Sequence, residues 1–92
     1  MAITIQGGSM ENCGEVYGVF EGQFNGMYFE GCTLIPKVDG AFVNCAIFGK
    51  NTIDCRHQPR GLRALHWGFK DCQFGPGLSW KNCPTLRDFK AE

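Results

Sequence analysis

The chain has 92 residues, nine basic and nine acidic, with 43% hydrophobic residues, 13 glycines and six cysteines. That length holds one domain, and a net charge of zero disfavours a generic basic nucleic-acid binder. No apolar run approaches the roughly 18 residues of a membrane helix, and the start lacks the basic and apolar regions of a signal peptide.

Taken in chain order, Met1–Ile5 alternates in the Ile-Thr-Ile manner of a first strand, expected to close one end of the domain. From Val19 a five-residue frame begins: Val19, Phe24, Phe29 and Leu34, each preceded at two positions by Tyr17, Gly22, Met27 and Cys32. It breaks at Pro36–Asp39, resumes at Phe42 and Ile47, and breaks again through residues 50–66. It returns at Phe69 and Phe74 and, after one extra residue, at Trp80 and Thr85. The tail, with Leu86 and Phe89, is expected to close the other end.

The cysteines share a local rule: a large apolar residue, a variable one, then Asn, Asp or Gly, then Cys. Met10–Cys13, Phe29–Cys32, Phe42–Cys45, Phe69–Cys72 and Trp80–Cys83 obey it, and Thr52–Cys55 fits more loosely. A disulfide framework has no reason to repeat such a rule, since it needs only pair geometry. The cysteines are therefore expected to be reduced and buried for packing, in keeping with an intracellular protein. An even number of them leaves a disulfide scaffold as the alternative.

A period of five fits neither a helix at 3.6 nor a flat strand at 2. It suits a chain that turns a corner every five residues, pointing a small and a large side chain inward. The scattered glycines and the absence of Ala-Leu-Glu-Lys blocks argue against helices. An all-β domain follows. The units Cys32-Thr33-Leu34, Cys45-Ala46-Ile47 and Cys72-Gln73-Phe74 resemble those of the pentapeptide-repeat family. The likeness departs at the central residue, which is Thr, Ala or Gln, and at the Asn or Asp, which precedes the cysteine. The resemblance implies a small right-handed parallel β-helix, a pentapeptide-like solenoid with short capping segments. Larger right-handed β-helices use the phrase Phe-x-Asn-Cys-x-Phe as well.

Chemistry is sparse. Cys55, His57, His66 and Cys72 supply a zinc inventory without the usual close pairs, so a zinc-binding domain stands only as an alternative. Cys55 with Arg56 and His57 is the one candidate for a cysteine nucleophile, and its spacing fixes no geometry. No phosphate-cradling loop is present. Neither an enzyme nor a cofactor is expected.

Charge is unevenly placed. Residues 1–36 hold Glu11, Glu15, Glu21 and Glu30 and no lysine or arginine; up to Lys50 five acids face two bases. From Asn51 onward four acids face seven bases. The expected domain thus has acidic coils at 1–50 and basic coils at 51–92, interrupted by an irregular loop at 56–66. The pentapeptide-repeat resemblance implies a rod imitating duplex DNA, with Glu11, Glu15, Glu21, Glu30 and Asp39 in place of phosphates. The implied protein is a non-enzymatic inhibitor in the cytoplasm that occupies a DNA-binding protein or complex, such as a nucleic-acid enzyme or CRISPR effector, in the manner of phage anti-CRISPR proteins. Direct binding of nucleic acid is not expected. A competing reading is an interaction module using Arg56, Arg60, Arg63 and Trp67, a hot-spot composition. An incomplete cap would leave a strand edge open to a homodimer.

Overall fold

Four residues that precede a cysteine, or would precede one by the rule, set the path of the chain. Asn12, Asn44, Asp71 and Asn82 all take positive φ, between 54° and 59°, and Gly31 before Cys32 does so at 70°. Asn, Asp and Gly tolerate this left-handed conformation far better than other residues. Each therefore turns a corner, and at Cys13, Cys32, Cys45 and Cys72 the sulfur that follows is aimed by it. The computed structural model describes residues 4–59 and 67–82.

Ten strands form in chain order: β1 (Ile5–Gln6), β2 (Ser9–Gly18), β3 (Phe24–Asn25), β4 (Tyr28–Pro36), β5 (Phe42–Val43), β6 (Ala46–Ile47), β7 (Thr52–Asp54), β8 (Phe69–Lys70), β9 (Gln73–Phe74) and β10 (Ser79–Lys81). One sheet runs β1-β3-β5-β8; the other runs β10-β7-β4-β6-β9, with β2 added on β4. Every ladder among these strands is parallel. β4 bends at Gly31, so that Tyr28 and Phe29 pair with β6 while Thr33 and Leu34 pair with β7. The second sheet is curled by that bend.

The right-handed β-helix, or pentapeptide-like solenoid, expected from the sequence is not what forms. The structure is a compact, strand-rich domain of two sheets, one curled and branched. Equal coils of five-residue sides would return the chain at constant intervals. Along the first sheet the steps Ile5 to Phe24, Phe24 to Phe42 and Phe42 to Phe69 are instead 19, 18 and 27 residues. β2 and β4, of ten and nine residues, run through positions where the frame places corners, with an irregularity between Glu11 and Gly14. The radius of gyration, 11.9 Å, matches the about 12 Å of an ordinary globular chain of this length, not a rod. A five-residue frame marks which residues face inward; it does not fix how much chain lies between them.

The core is a column of phenyl rings. Phe24 and Phe42 stack with centroids 4.9 Å apart, as do Phe42 and Phe69. That distance is the spacing of neighbouring strands, so register places ring on ring. Phe29 meets Phe24 and Phe42 edge-on at 5.6 Å, and Phe74 meets Phe69 in the same way. Leu34, Ile47 and Ile53 complete this core, and Ile35 is fully buried outside it. Removing one such ring would cost about 3–5 kcal/mol. Gly18 belongs to this packing, since a Cβ there would stand 2.6 Å from that of Ala41.

One buried amide replaces missing backbone pairing where β4 bends. Asn51 accepts from the Cys32 amide at 3.0 Å and donates to the Phe29 carbonyl at 3.0 Å and to that of Phe48. Among the described residues no buried side-chain nitrogen or oxygen lacks a partner.

The cysteines answer the packing expectation in part. Cys32 and Cys45 are free and buried, and Cys72 is free and half-buried. Cys13 is free but exposed, and Cys55 is disulfide-bonded, so neither is the reduced, inward cysteine the shared rule suggests. Among the described residues no helix is long and apolar enough to cross a membrane. Met1–Ile3, Arg60–His66 and the tail from Cys83 lie outside the described residues, and with them the closing tail, Arg60, Arg63 and His66. Within the proposed N-terminal cap, Ile5 is described and pairs with Phe24 as the first residue of β1.

Candidate interaction face

Strand β2 carries two of the acids expected to contact a partner, and the corner at Asn12 sends them in different directions. Before the corner, Glu11 stands opposite Glu30 of β4 in parallel register. Neighbouring strands lie about 4.8 Å apart, so two exposed carboxylates are held side by side. The Tyr28 hydroxyl, one strand residue pair away, donates to Glu30 Oε1 at 2.9 Å and orients it. That bond pushes the Tyr28 phenol up from its ordinary value, with burial and the charges of Glu30 and Glu11 adding to it. Among the described residues no lysine or arginine lies within ion-pair distance of Glu11 or Glu30.

Beyond the corner Glu15 joins a different group. Its Oε1 accepts from the Tyr17 hydroxyl at 2.8 Å, and its Oε2 lies 3.6 Å from Arg56 Nη2. Arg56 is itself bound by Asp54, a carboxylate with no exposed surface. Asp54 Oδ2 accepts from Arg56 Nε at 3.0 Å and from Nη2 at 2.6 Å; Oδ1 accepts from the Arg56 amide at 3.0 Å and from Asn82 Nδ2 at 3.0 Å. Burial alone would raise the Asp54 carboxyl. The Arg56 guanidinium, Asn82 and the Arg56 amide outweigh it and hold the group below its ordinary value. Four donors to one carboxylate make this a structural anchor.

The remaining predicted acids are scattered. Asp39 lies 3.8 Å from Lys70 with both side chains well exposed, a weak surface pair. Glu21 is exposed in the turn between β2 and β3. Thus the structure unites Glu11 with Glu30, neutralises Glu15 and Asp39, and leaves Glu21 apart. A single row of five carboxylates does not exist.

The other expected sites fare differently. The Arg56 guanidinium is spent on Asp54 and Glu15. Trp67 is half-buried, and its carbonyl accepts from the Gly40 amide at 2.9 Å. The zinc alternative is corrected at Cys55: a disulfide sulfur is not a thiolate ligand. Cys72 donates to the Phe42 carbonyl at 3.4 Å, and His57 is exposed. Among the described residues no three His, Cys, Asp or Glu side chains gather to hold a metal ion.

Sequence reasoning missed Asp54, Asn51 and the two tyrosines. A signal for Asp54 was present in the loose fit of Thr52–Cys55 to the cysteine rule. Every other Asn or Asp before a described cysteine takes positive φ, whereas Asp54 ends β7 as an ordinary strand residue and points inward. In comparisons with known proteins, no family model, curated protein or solved structure matches the chain.

Proposed function

We propose that this chain acts by binding, presenting the Glu11–Glu30 pair to a basic surface of a DNA-binding protein and taking there the place of backbone phosphates. The observation that carries the reading is the pair itself. Like charges directly opposite on neighbouring strands destabilise a sheet, and no cation of the described residues relieves them. A cation from outside would. The absence of any lysine or arginine from residues 1–36 lets the same region attract a basic partner from a distance. Inhibition of a nucleic-acid enzyme or CRISPR effector complex is the form such binding would take. A cytoplasmic setting follows from a partner of that kind; the argument from six reduced thiols no longer supports it, since Cys55 is disulfide-bonded.

The test is affinity capture of a partner on the immobilised protein, followed by elution with duplex DNA. The expected result is a partner released by duplex DNA and by raised salt, and not captured by an E11K/E30K double variant of unchanged thermal stability. A captured partner that resists duplex DNA, or that the double variant retains, would overturn the reading.

A further inference from the structure

Two free cysteines face each other across neighbouring strands. Ala46 of β6 pairs with Gln73 of β9, and the Gln73 amide donates to the Cys45 carbonyl at 2.9 Å. Cys45 and Cys72, the residues immediately before these two strands, therefore stand beside one another. The corners at Asn44 and Asp71, with φ of 54° and 56°, give both sulfurs the same aim. Cys72 Sγ donates across to the Phe42 carbonyl at 3.4 Å, in the neighbouring strand from which Cys45 follows. Cys45 donates to the Val43 carbonyl at 3.4 Å, and Cys72 to that of Lys70 at 3.5 Å, the same position relative to each sulfur. The Cys13 and Cys32 sulfurs meet the carbonyl two residues back in the same way, at 3.5 and 3.4 Å, but the register sets Cys32 opposite Gly14 and not opposite Cys13, which is exposed.

We propose that Cys45 and Cys72 form a dithiol exchange site whose co-substrate is a small disulfide of the glutathione class. Parallel neighbours have Cα atoms about 4.8 Å apart, inside the range a disulfide spans. Their side chains, set parallel by the shared corner, must close by about 1 Å to bring the Cβ atoms to disulfide distance, and a bond formed under such strain is readily reduced again. Cys72 is half-buried and Cys45 is 1% exposed, so an external disulfide reaches Cys72 first. Cys72 attacks one glutathione sulfur as its proton passes to Cys45, which carries the charge of the pair; the S–S bond breaks, and one glutathione leaves as thiolate and takes that proton from Cys45. Cys45, having given up its proton, then attacks the Cys72 sulfur of the mixed disulfide and expels the second glutathione. Two cysteine thiols are oxidised, one glutathione disulfide is reduced to two glutathiones, and the two protons go to the leaving thiolates. The neighbouring Cys72 thiol holds the Cys45 thiol below its ordinary value although burial opposes it, while Cys72 is raised by Cys45 and by burial. Of the two sulfurs, Cys45 is thus the one that keeps the negative charge once a proton leaves the pair. A second observation shows that the chain tolerates sulfur–sulfur bonding: Cys55 is already disulfide-bonded.

The experiment is incubation of the intact protein with oxidised glutathione, acid quenching, alkylation of the remaining thiols and tryptic mapping. Cleavage at Lys37, Lys50, Lys70 and Lys81 puts Cys45 in peptide 38–50 and Cys72 in peptide 71–81. The expected product is the two peptides joined with loss of two hydrogens, separated again by dithiothreitol. A C45S variant should stop at Cys72 carrying one glutathione. The proposal is overturned if both peptides are recovered singly, alkylated or glutathionylated, once exposed Cys13 has reacted to completion. Linkage of Cys45 or Cys72 to Cys13 or Cys32 instead would overturn it equally.

Discussion

Glu11 and Glu15 sit on one strand, four residues apart, and end in opposite circumstances. Glu11 is set against another carboxylate, whereas Glu15 faces an arginine already held by buried Asp54. The difference is made by the corner at Asn12, which rotates the chain between them. On one side the protein satisfies its charges internally and gains stability from them. On the other it leaves a repulsion standing. Charge that is compensated within a fold explains the fold; charge left uncompensated is what remains for a partner.

The sharpest way to break this comparison is at Asp54. D54A strips the Arg56 guanidinium and Asn82 of their shared acceptor, and the variant should lose about 3 kcal/mol by urea unfolding. Tyr17 and Glu15 would then keep a freer arginine, and binding through Glu11–Glu30 should be unchanged. An effect below about 0.5 kcal/mol would mean that the carboxylate is not the anchor described.

Acid titration separates the two regions next. The Asp54 carboxyl is depressed in the folded protein, so it binds its proton more readily when unfolded. Its contribution is complete above its unfolded value of about 3.9 and is lost as pH falls through the lower folded value. Wild type should therefore lose stability steeply below about pH 4, and D54N should show a shallower acid limb in thermal melts recorded against pH.

The acidic pair should behave with the opposite sign. E30Q keeps the Tyr28 hydrogen bond while removing one of two like charges, and should gain about 0.5 kcal/mol in unfolding while weakening partner binding. A loss of stability would show that the two carboxylates do not repel. The smallest effect is expected at the exposed Asp39–Lys70 pair, where D39N should stay within about 0.5 kcal/mol of wild type.

Much of the interior could be read from the chain. The five-residue frame selects Phe24, Phe29, Leu34, Phe42, Ile47 and Phe69, all buried, and a left-handed residue stands two positions after each of them except Leu34. It fails at Val19, which is 39% exposed and lies just beyond the end of β2. The architecture was not legible in the same way. Spacing along the sequence says nothing of where β4 bends or of the longer return between Phe42 and Phe69, which are set by the amide of Asn51 and by ring stacking across strands. The acidic face was legible as composition and not as geometry: five acids could be counted, but the ion pairs that remove Glu15 and Asp39 join residues far apart in the chain.

The corner residues carry a consequence for how such a chain can change. At Asn44 and Asp71 the backbone admits glycine, asparagine or aspartate easily and most other residues only at about 1–2 kcal/mol each. The stacked phenyl column is equally intolerant of small replacements, while the outward residues between corners make few and exposed contacts. Descent from a common ancestor would therefore rewrite most of the surface and preserve a thin scaffold of turn residues and rings. Kinship among proteins of this build is better sought in that spaced pattern of corners and rings than in overall identity.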